Sequence, residues 1–352
     1  MMSQLLPFIS ALLFGVAGIC LFLLLMNRCL LLLEDSPVKT ALLLACGLCL
    51  VGGSFVAGFY CPSPVWMLLP LGVFLLLLLG EMHELFLRYI HRGSPPIQTE
   101  PHRVNLTAPI TTMNLIVHHF QVPHTTVTRP LRIVHLTDIH ADQRFPRDYY
   151  KKALDTAAGY QADLAVFTGD FISHIKALPC LSEILRPVAS SGSYAVLGNH
   201  DYWVAPEAIK DELRKAGLQV LTNETVHVDV AGQRLALTGY DYPWGTRDKT
   251  IASQPQDRLH LVLTHTPDNI YRLAEGPADF VFAGHYHAGQ VRLPLRGSIV
   301  VPSIYGCRFD HGHFVIGKTH LFVASGVGAS YPPVRIYCQP DIFVVDIIPD
   351  KQ

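Results

Sequence analysis

Three long apolar stretches at the start of the chain restrict its folding more than any other feature. The first two are long enough, at about 20 residues, to cross a bilayer as helices, and the third reaches that length only if it continues through Met82 and Leu85. Charged side chains are almost absent from them, so an ion path or a transport site inside a helical bundle is not indicated. The sequence therefore predicts a membrane anchor of about three transmembrane helices over residues 1–92, with spans at about 5–26, 38–59 and 65–85.

The end of the third span has two interpretations. The apolar and the charged side chains of Glu81–Arg92 fall on opposite faces of a helix. Such a pattern is typical of an interfacial helix that lies on the lipid headgroups. It is equally compatible with a third transmembrane helix that continues through Met82 and Leu85 and then emerges into water.

Lys and Arg residues flank the predicted spans on one side only. With three spans, the loop 27–39 and everything after the third span share one side, and the loop 60–64 faces the other. The loop 60–64 contains neither Lys nor Arg. The positive-inside rule therefore predicts that the rest of the chain lies on the cytoplasmic side of the inner or plasma membrane. The basic residues behind this prediction are Arg28, Lys39, Arg88, Arg92 and Arg103.

A repeated pattern begins beyond a predicted linker at residues 93–110 and defines a predicted domain at 111–352. Short apolar runs alternate with helical stretches, which predicts an α/β fold of buried strands covered by helices. Each run ends directly in residues that can bind a metal ion. The five runs and their polar residues are Leu131–Leu136 with Asp138 and His140, Ala162–Phe167 with Asp170, Ser193–Leu197 with Asn199, His200 and Asp201, Leu259–Leu263 with His265, and Phe280–Ala283 with His285 and His287.

The remaining sequence patterns of this domain predict further strands and helices. We expect a hairpin at 226–238 that turns at Ala231-Gly232, and a second, largely β layer built from 298–346. Four further histidines are assigned to strand edges or to a hairpin tip rather than to a metal site: His118, His119, His311 and His313. Helices are expected at about 148–158, 181–189, 206–217 and 266–276.

The polar residues at the run ends suggest a metal centre. The carboxyl ends of the strands of an open α/β sheet share one edge, where ligands bind. Seven protein ligands are too many for one ion that keeps an open position, but two ions that share a carboxylate can use them. Imidazole, carboxylate and amide ligands without a thiolate suit two divalent metal ions, Mn²⁺, Fe or Zn²⁺. The candidate ligands are Asp138, His140, Asp170, Asn199, His265, His285 and His287.

Such a pair of ions suits hydrolysis at phosphorus. One ion generates a metal-activated hydroxide, and both stabilise the attacking and leaving oxygens of an in-line displacement. His200 lies beside a candidate ligand and is predicted to be catalytic, through a hydrogen bond to the phosphoryl group or by donating a proton to the leaving oxygen. Asp201 is predicted to orient the His200 ring.

The order of the motifs resembles a known family. Asp-x-His, Gly-Asp, Gly-Asn-His-Asp, a lone His after a strand and Gly-His-x-His make the chain similar to the calcineurin-like metallophosphoesterase superfamily. The stretches Tyr194–Tyr202, Leu221–Glu224, Gly284–Pro294 and Gly326–Ser330 resemble its bacterial membrane-associated branch, the YkuE/YaeI-like phosphohydrolases. The resemblance covers about residues 111–348 and all five motifs. No motif of this kind covers the apolar spans.

The resemblance implies a four-layer α/β/β/α sandwich after the transmembrane bundle. It also implies a binuclear metal centre in which Asp170 is shared. Ala288 stands where the related pattern more often has glycine. The implied ligands are Asp138, His140, Asp170 and His287 for one ion, and Asp170, Asn199, His265 and His285 for the other.

Together these features predict a membrane-anchored, dimetal-dependent phosphoesterase that cleaves a phosphodiester or pyrophosphate bond. The branch implies a phospholipid or nucleotide-diphospho-lipid substrate, beside the lipid bilayer itself as a partner. The aromatic loop Tyr240–Trp244 is expected either to form an apolar lip at the site or to pack in the core.

Two alternatives remain at this point. A metal-dependent nuclease would use the same centre, but nucleic-acid binding needs a clustered basic surface, and the net charge is −1 with scattered Lys and Arg. A non-catalytic membrane scaffold would bind metal for stability only, and the intact His200-Asp201 pair speaks against it.

Overall fold

The computed structural model describes residues 2–34, 36–101, 107–230, 232–247, 255, 257–294 and 296–350. The chain divides into two compact units, residues 1–90 with 300–308, and residues 91–299 with 309–352. The division into an anchor at 1–92, a linker at 93–110 and a hydrolase domain at 111–352 stays a prediction. Linker residues 102–106 lie outside the described part.

The first unit contains three helical segments that are long and apolar enough to cross a membrane. The second segment begins where the Ser36 side chain accepts a hydrogen bond from Lys39 N and Pro37 takes the first helical position. It packs closely on the first, because a Cβ atom at Gly18 would lie 1.9 Å from Leu50 O. The segments are Gln4–Leu32 (α1, Met2–Arg28, then a 3₁₀ turn, Leu30–Leu32), Pro37–Tyr60 (α2, Pro37–Gly47, a π-helical stretch, Leu48–Gly53, and α3, Ser54–Tyr60) and Leu68–His91 (α4).

The three predicted apolar helices are thus present as candidate spans. Helix α4 runs without a break to His91, so residues 81–91 are the end of the third helix and not a separate interfacial helix.

Residues 300–308 are held to the helices of the first unit by polar contacts. Asn27 Oδ1 accepts a hydrogen bond from Val301 N at 2.9 Å. The Glu84 carboxylate accepts two hydrogen bonds from Arg308, at 2.9 and 3.0 Å, and pairs with Arg28 at 3.3 Å. Arg28 also donates to the carbonyl of Ile304. No signal in the sequence had assigned this segment to the helices.

The second unit is built from two main sheets and short helices. Its helices are α5 (Arg147–Gly159), α6 (Leu178–Ile184), α7 (Asn199–Val204), α8 (Pro206–Lys215) and α9 (Ile270–Glu275). Its strands are β1 (Gln98–Glu100), β2 (Ile116–His124), β3 (Leu131–Leu136), β4 (Leu164–Thr168), β5 (Ser193–Val196), β6 (Gln219–Val220), β7 (Thr225–Val230), β8 (Gln233–Tyr240), β9 (Leu259–Thr264), β10 (Phe280–Ala283), β11 (Arg292–Leu293), β12 (Gly297–Ser298), β13 (Gly312–Ile316), β14 (Thr319–Val323) and β15 (Asp341–Pro349).

Each main sheet has a parallel centre. The seven-stranded sheet has the order β1-β2-β15-β3-β4-β5-β6, in which β3 to β6 are parallel. The six-stranded sheet has the order β13-β14-β10-β9-β8-β7, in which β14, β10, β9 and β8 are parallel. Strands β11 and β12 form a separate two-stranded ribbon.

The sheets and helices form four layers, as predicted. The faces of the two main sheets enclose one apolar core that includes Phe120, Phe282 and Phe343. A second core lies between the seven-stranded sheet and α5, α6 and α8. Helix α5 packs on the sheet through one apolar face, because its buried residues recur at helical spacing. These residues are Tyr150, Ala153, Leu154 and Ala157. Helix α9 lies against β13 and β14 on the other sheet.

Two expectations about elements are wrong. Helix α6 begins at Leu178 and ends at Ile184 instead of covering 181–189, because Pro187 disfavours helical backbone at the residue before it. The region 298–346 does not form one β layer of its own. Strands β13 and β14 join the six-stranded sheet, whereas β15 lies between β2 and β3 of the other sheet. The hairpin of β7 and β8 is present, with Ala231 of its turn outside the described residues.

Candidate metal centre

The candidate ligands meet at the carboxyl ends of strands from both main sheets. Those from the first sheet follow β3, β4 and β5, and those from the second follow β9 and β10. Parallel strands bring such ends to one edge, and both edges supply the same site. The structure thus brings together all seven candidate ligands, Asp138, His140, Asp170, Asn199, His265, His285 and His287.

The backbone is strained where these side chains leave their strands. Asp138, His140, Asp170, His285 and His287 have left-handed φ values of 48°, 41°, 55°, 70° and 48°. A non-glycine residue in this region costs about 1–2 kcal/mol. The surrounding fold therefore stabilises the positions of five candidate ligands against their local preference, as at many functional sites.

Four side chains form the first ligand group. Its ligand atoms all lie within 4.8 Å of one another. His287 Nε2 lies 3.2 Å from Asp138 Oδ1 and 3.0 Å from His140 Nε2. His140 Nε2 in turn lies 3.4 Å from Asp170 Oδ2. Two carboxylates and two imidazoles thus converge on one point.

The second ligand group shares Asp170 with the first. His265 Nε2 lies 3.2 Å from Asp170 Oδ2 and 3.0 Å from Asn199 Oδ1. His285 Nδ1 lies 3.2 Å from the same His265 nitrogen. The same carboxylate oxygen of Asp170 therefore faces both groups, as a bridging ligand would.

Neighbouring groups fix which atoms face the centre. His140 Nδ1 lies 2.8 Å from Ser173 Oγ, and His265 Nδ1 lies 2.6 Å from the Thr168 carbonyl oxygen, so Nε2 of both rings is directed to the centre. Asp138 Oδ2 accepts hydrogen bonds from Thr137 Oγ1 and His285 N. None of the described residues donates a hydrogen bond to its buried Oδ1. That oxygen fits a cation as its missing partner.

The charge states of His285, His287 and Asp170 fit divalent cations. Burial lowers the pKa of His285 and His287 well below its ordinary value, so both rings are neutral and offer a lone pair. Burial opposes ionisation of Asp170, but nearby histidines, His265 first, outweigh it and hold the pKa of Asp170 well below its usual range. His265 differs: burial opposes its protonation, but the Asp170 carboxylate outweighs burial and raises the pKa of His265 to about 9, so a metal ion at this ring must displace a proton.

Two glycines of the motifs make room for the ligands. A Cβ atom at Gly198 would lie 2.1 Å from Asp170 Oδ1, and one at Gly284 would lie 2.2 Å from Asp138 Oδ2. Both distances are shorter than any contact between non-bonded atoms. The sequences Gly-Asn-His-Asp and Gly-His-x-His therefore need glycine because a carboxylate of another motif lies against its α-carbon.

Comparisons with known proteins agree with this geometry. Residues 131–289 match the family model described as calcineurin-like phosphoesterase. The chain is 30% identical over 257 residues to the uncharacterized metallophosphoesterase YkuE of Bacillus subtilis, covering 70% of this chain and 86% of that one. The chain belongs to the calcineurin-like phosphoesterase family. As a member, this metallophosphoesterase is a metal-dependent hydrolase of phosphoric esters.

Two further relatives carry names that state an activity. The metallophosphoesterase is 28% identical over 225 residues to the phosphodiesterase YaeI of Escherichia coli, with 62% of this chain and 83% of the relative covered. It is 27% identical over 273 residues to the UDP-2,3-diacylglucosamine pyrophosphatase LpxG of Chlamydia muridarum, with 61% of this chain and 83% of the relative covered.

The two residues predicted to be catalytic lie beside the metal centre. The His200 ring centroid is 5.0 Å from that of His140, and His200 N donates to Asp170 Oδ1 at 2.9 Å. Asp201 is fully buried, and its carboxylate accepts backbone hydrogen bonds from Gly198 and Phe171, each at 2.9 Å. Asp201 thus braces the two ligand loops, and its action on the His200 ring stays a prediction.

Aromatic side chains line the centre of the metallophosphoesterase. Trp244 lies over the second ligand group, with ring centroids 5.1 Å from His285 and 5.6 Å from His265. Trp203 lies 5.1 Å from the ring of His200. Within the aromatic loop, Tyr240 is buried in the core, whereas Trp244 lies at the site, and its role as an apolar lip stays a prediction.

Sequence reasoning missed a charged residue behind the centre. Arg335 is fully buried, and its Nη2 lies 3.3 Å from His287 Nδ1. The same nitrogen donates to the carbonyl oxygens of Ser325 and Gly328. Nothing around Arg335 in the sequence resembles a metal motif, so no local signal could have identified it.

Proposed function

We propose that the protein is a membrane-anchored, dimetal phosphoesterase that hydrolyses a phosphodiester or pyrophosphate bond of a lipid-linked substrate. One observation carries the proposal: two ligand groups converge on the same oxygen of Asp170. A carboxylate oxygen shared in this way suits two cations a few ångströms apart.

In this proposal the residues of the site have the following roles. Asp138, His140, Asp170 and His287 hold one ion, and Asp170, Asn199, His265 and His285 hold the other. Two divalent ions of the Mn²⁺, Fe or Zn²⁺ class would supply Lewis-acid activation of water and of the phosphoryl group. The His200 ring, beside His140, is placed to donate a proton to the leaving oxygen.

Three observations support a lipid-linked substrate. The chain has three candidate membrane spans, so a substrate anchored in the same bilayer need not leave it to be hydrolysed. Two half-buried tryptophans flank the metal centre and offer apolar area beside it. One relative is named a phosphodiesterase and another a UDP-2,3-diacylglucosamine pyrophosphatase, and these names correspond to the two bond types of the proposal.

Hydrolysis of bis-p-nitrophenyl phosphate by the full chain in detergent tests the reaction class. Activity should vanish on chelation and return with Mn²⁺. Asp170→Asn should lower it at least about 100-fold, because both ions lose a shared ligand. His200→Ala should lower activity about 10²–10⁴-fold while the bound metal stays unchanged.

A matched control is His227→Ala, which removes an exposed histidine from β7 and should leave activity and metal content unchanged. Full activity in Asp170→Asn would contradict the proposal. Unaltered hydrolysis in His200→Ala would remove that residue from the mechanism, and metal binding without any hydrolysis would favour the scaffold alternative.

The substrate class has its own test. In mixed micelles, kcat/KM for UDP-2,3-diacylglucosamine should exceed that for UDP-N-acetylglucosamine, which lacks the long acyl chains, by at least about 100-fold. The corresponding pair for a diester is a phosphatidyl diester and its deacylated form. Equal rates for acylated and deacylated substrates would exclude a lipid substrate.

A further inference from the structure

A second cluster of metal-binding side chains lies in the same unit and shares no residue with the metal centre. It consists of His118 on β2, His311 just before β13 and Asp341 at the start of β15. The sequence had assigned both histidines to a strand edge and a hairpin tip. Strand β15 pairs with β2 in the seven-stranded sheet, and this pairing brings Asp341 to His118.

One carboxylate oxygen is the focus of this cluster. His311 Nε2 lies 2.5 Å from Asp341 Oδ2, and His118 Nε2 lies 3.9 Å from the same oxygen. One ligand atom from each residue lies within 4.8 Å of the other two. The two ring centroids are 5.5 Å apart, and each is 5.6 Å from the ring of the fully buried Phe343. Two imidazoles and one carboxylate therefore converge above an apolar floor.

Hydrogen bonds orient His118 and Asp341 through the atoms that do not face the other two residues of the cluster. His118 Nδ1 lies 2.9 Å from Thr99 Oγ1, so the remaining nitrogen, Nε2, is directed to Asp341. Asp341 Oδ1 accepts a hydrogen bond from Ser325 N at 2.8 Å, and this leaves Oδ2 for the histidines. A metal-ligating imidazole typically donates its other N–H to such an acceptor.

A simple histidine–carboxylate hydrogen bond explains only part of this arrangement. It accounts for His311 but not for His118, whose Nε2 is aimed at Asp341 from 3.9 Å, beyond hydrogen-bond distance. An ion between the three groups would bind all of them. Asp341 is completely buried, whereas the His311 side chain is 22% exposed, which leaves a route for the ion and for a water ligand.

We propose that His118, His311 and Asp341 form a third divalent metal site, suited to Zn²⁺, with water as its fourth ligand. Two imidazoles, one carboxylate and one water are a normal tetrahedral set for this ion. The ion would join β2 and β15 of the seven-stranded sheet to the segment that enters β13 of the six-stranded sheet. Its role is structural, and it does not depend on the hydrolytic function proposed above.

The metal content of the full chain in detergent tests the proposal. The protein is stripped with a chelator, dialysed against buffered Zn²⁺, and its bound metal is counted by plasma mass spectrometry. His311→Gln, His118→Gln and Asp341→Asn should each bind about one equivalent less than the wild type, because each keeps the size of the side chain but removes a ligand. Zn²⁺ should also raise the unfolding temperature of the wild type more than that of these variants.

Two comparisons separate this site from the dimetal centre. Asp138→Asn combined with His285→Ala disables the dimetal centre and should still bind the equivalent that His311→Gln removes. Thr99→Val leaves all three ligands in place and removes only the group behind His118, so it should weaken that equivalent about 10–100-fold.

His227→Gln is the matched control for loss of one imidazole and should bind as much zinc as the wild type. If His311→Gln and Asp341→Asn, shown to be folded, bind as much zinc as the wild type, the proposal is wrong. The cluster would then be only a hydrogen-bonded ion pair.

Discussion

Arg335 shows how a single residue supports the metal centre from outside it. Its guanidinium is fully buried and donates to backbone carbonyls of one loop, with Nε 2.9 Å from Gly328 O and Nη2 2.6 Å and 3.1 Å from Ser325 O and Gly326 O. Two segments of the site therefore depend on one side chain, because the loop 325–328 lies against Asp138 and the guanidinium reaches His287.

Arg335→Met should destabilise the protein by about 2–4 kcal/mol, because it leaves several buried carbonyl groups without a donor. Arg335→Lys should recover only part of this stability. The lysine ammonium can donate to some of the carbonyl groups, but it cannot reach all the acceptors that the guanidinium contacts. Urea unfolding of the full chain in detergent measures both. Arg186→Met removes an exposed arginine that pairs with Asp155 on the surface, and should cost less than about 1 kcal/mol. A loss equal to that of Arg186→Met would show that the loop does not depend on Arg335.

The candidate ligands could be predicted from the sequence, whereas the residues around them could not. Each candidate ligand directly follows an apolar run, and strand ends gather at one edge, so local pattern and a general rule of α/β folds suffice to bring them together. Arg335 lies in an irregular segment, and its acceptors are known only once the loop 325–328 has folded back. The cluster of His118 and His311 was not predictable for the same reason, since their common partner Asp341 is 223 residues from His118 and 30 residues from His311 in the sequence.

At the scale of elements, the order of the strands in the two sheets could not be predicted from the sequence. Strand β15 has an apolar pattern that fits either sheet, and it lies between β2 and β3 although more than 200 residues separate it from them. Periodicity specifies which face of a strand is buried but not which strand is its neighbour. Element types and most boundaries were predictable because capping residues and apolar spacing are local signals.

The segment 300–308 gives a prediction at this scale. Glu84 of α4 accepts two hydrogen bonds from Arg308 and pairs with Arg28, and its side chain is only 20% exposed. Glu84→Ala leaves two arginines without this partner, so the segment should open more often. We expect hydrogen exchange of residues 300–308 to increase about tenfold, which corresponds to about 1.4 kcal/mol.

Exchange measured by mass spectrometry on the full chain in detergent tests this expectation. Glu81→Ala removes an exposed carboxylate one turn earlier on α4 and serves as the matched control. Unchanged exchange in Glu84→Ala would mean that Asn27 and the backbone contacts suffice to hold the segment.

For the molecule as a whole, the distribution of basic residues predicts an orientation in the membrane. Cys61 follows the second candidate span, whereas Cys29 follows α1 and lies near the end of the first candidate span, and both are exposed. In a variant that keeps only Cys61, an impermeant maleimide should label intact cells or spheroplasts, because the positive-inside rule directs the loop 60–64 outward. A variant that keeps only Cys29 should label only after lysis. The reverse pattern would place the hydrolase on the other side of the membrane.

Buried histidines predict that the second unit loses stability in acid. Burial lowers the pKa of His135 to about 3, although Asp341 acts in the opposite direction. Burial likewise lowers the pKa of His260, His313 and His320 to about 4 each. The His313 ring stacks on Phe322 with centroids 4.5 Å apart, and its Nε2 lies 3.0 Å from His320 Nδ1.

The sign of the effect follows from the lowered pKa values. Between about pH 6.5 and pH 4 the unfolded chain binds protons on these histidines that the folded chain does not, so stability is lost as the pH falls. Each ring changes the free energy of unfolding by up to about 1.4 kcal/mol per pH unit, and the four together by roughly 5 kcal/mol per unit near pH 5.5.

Urea unfolding of chelated protein at pH 7.5, 6.0 and 5.0 measures this slope of unfolding free energy against pH without a contribution from metal loss. His313→Phe keeps the stacking on Phe322, removes one proton site and should lower these four rings' share of the slope by about a quarter. An unchanged slope in His313→Phe would show that the ring is protonated in the folded protein, and that burial does not keep it neutral.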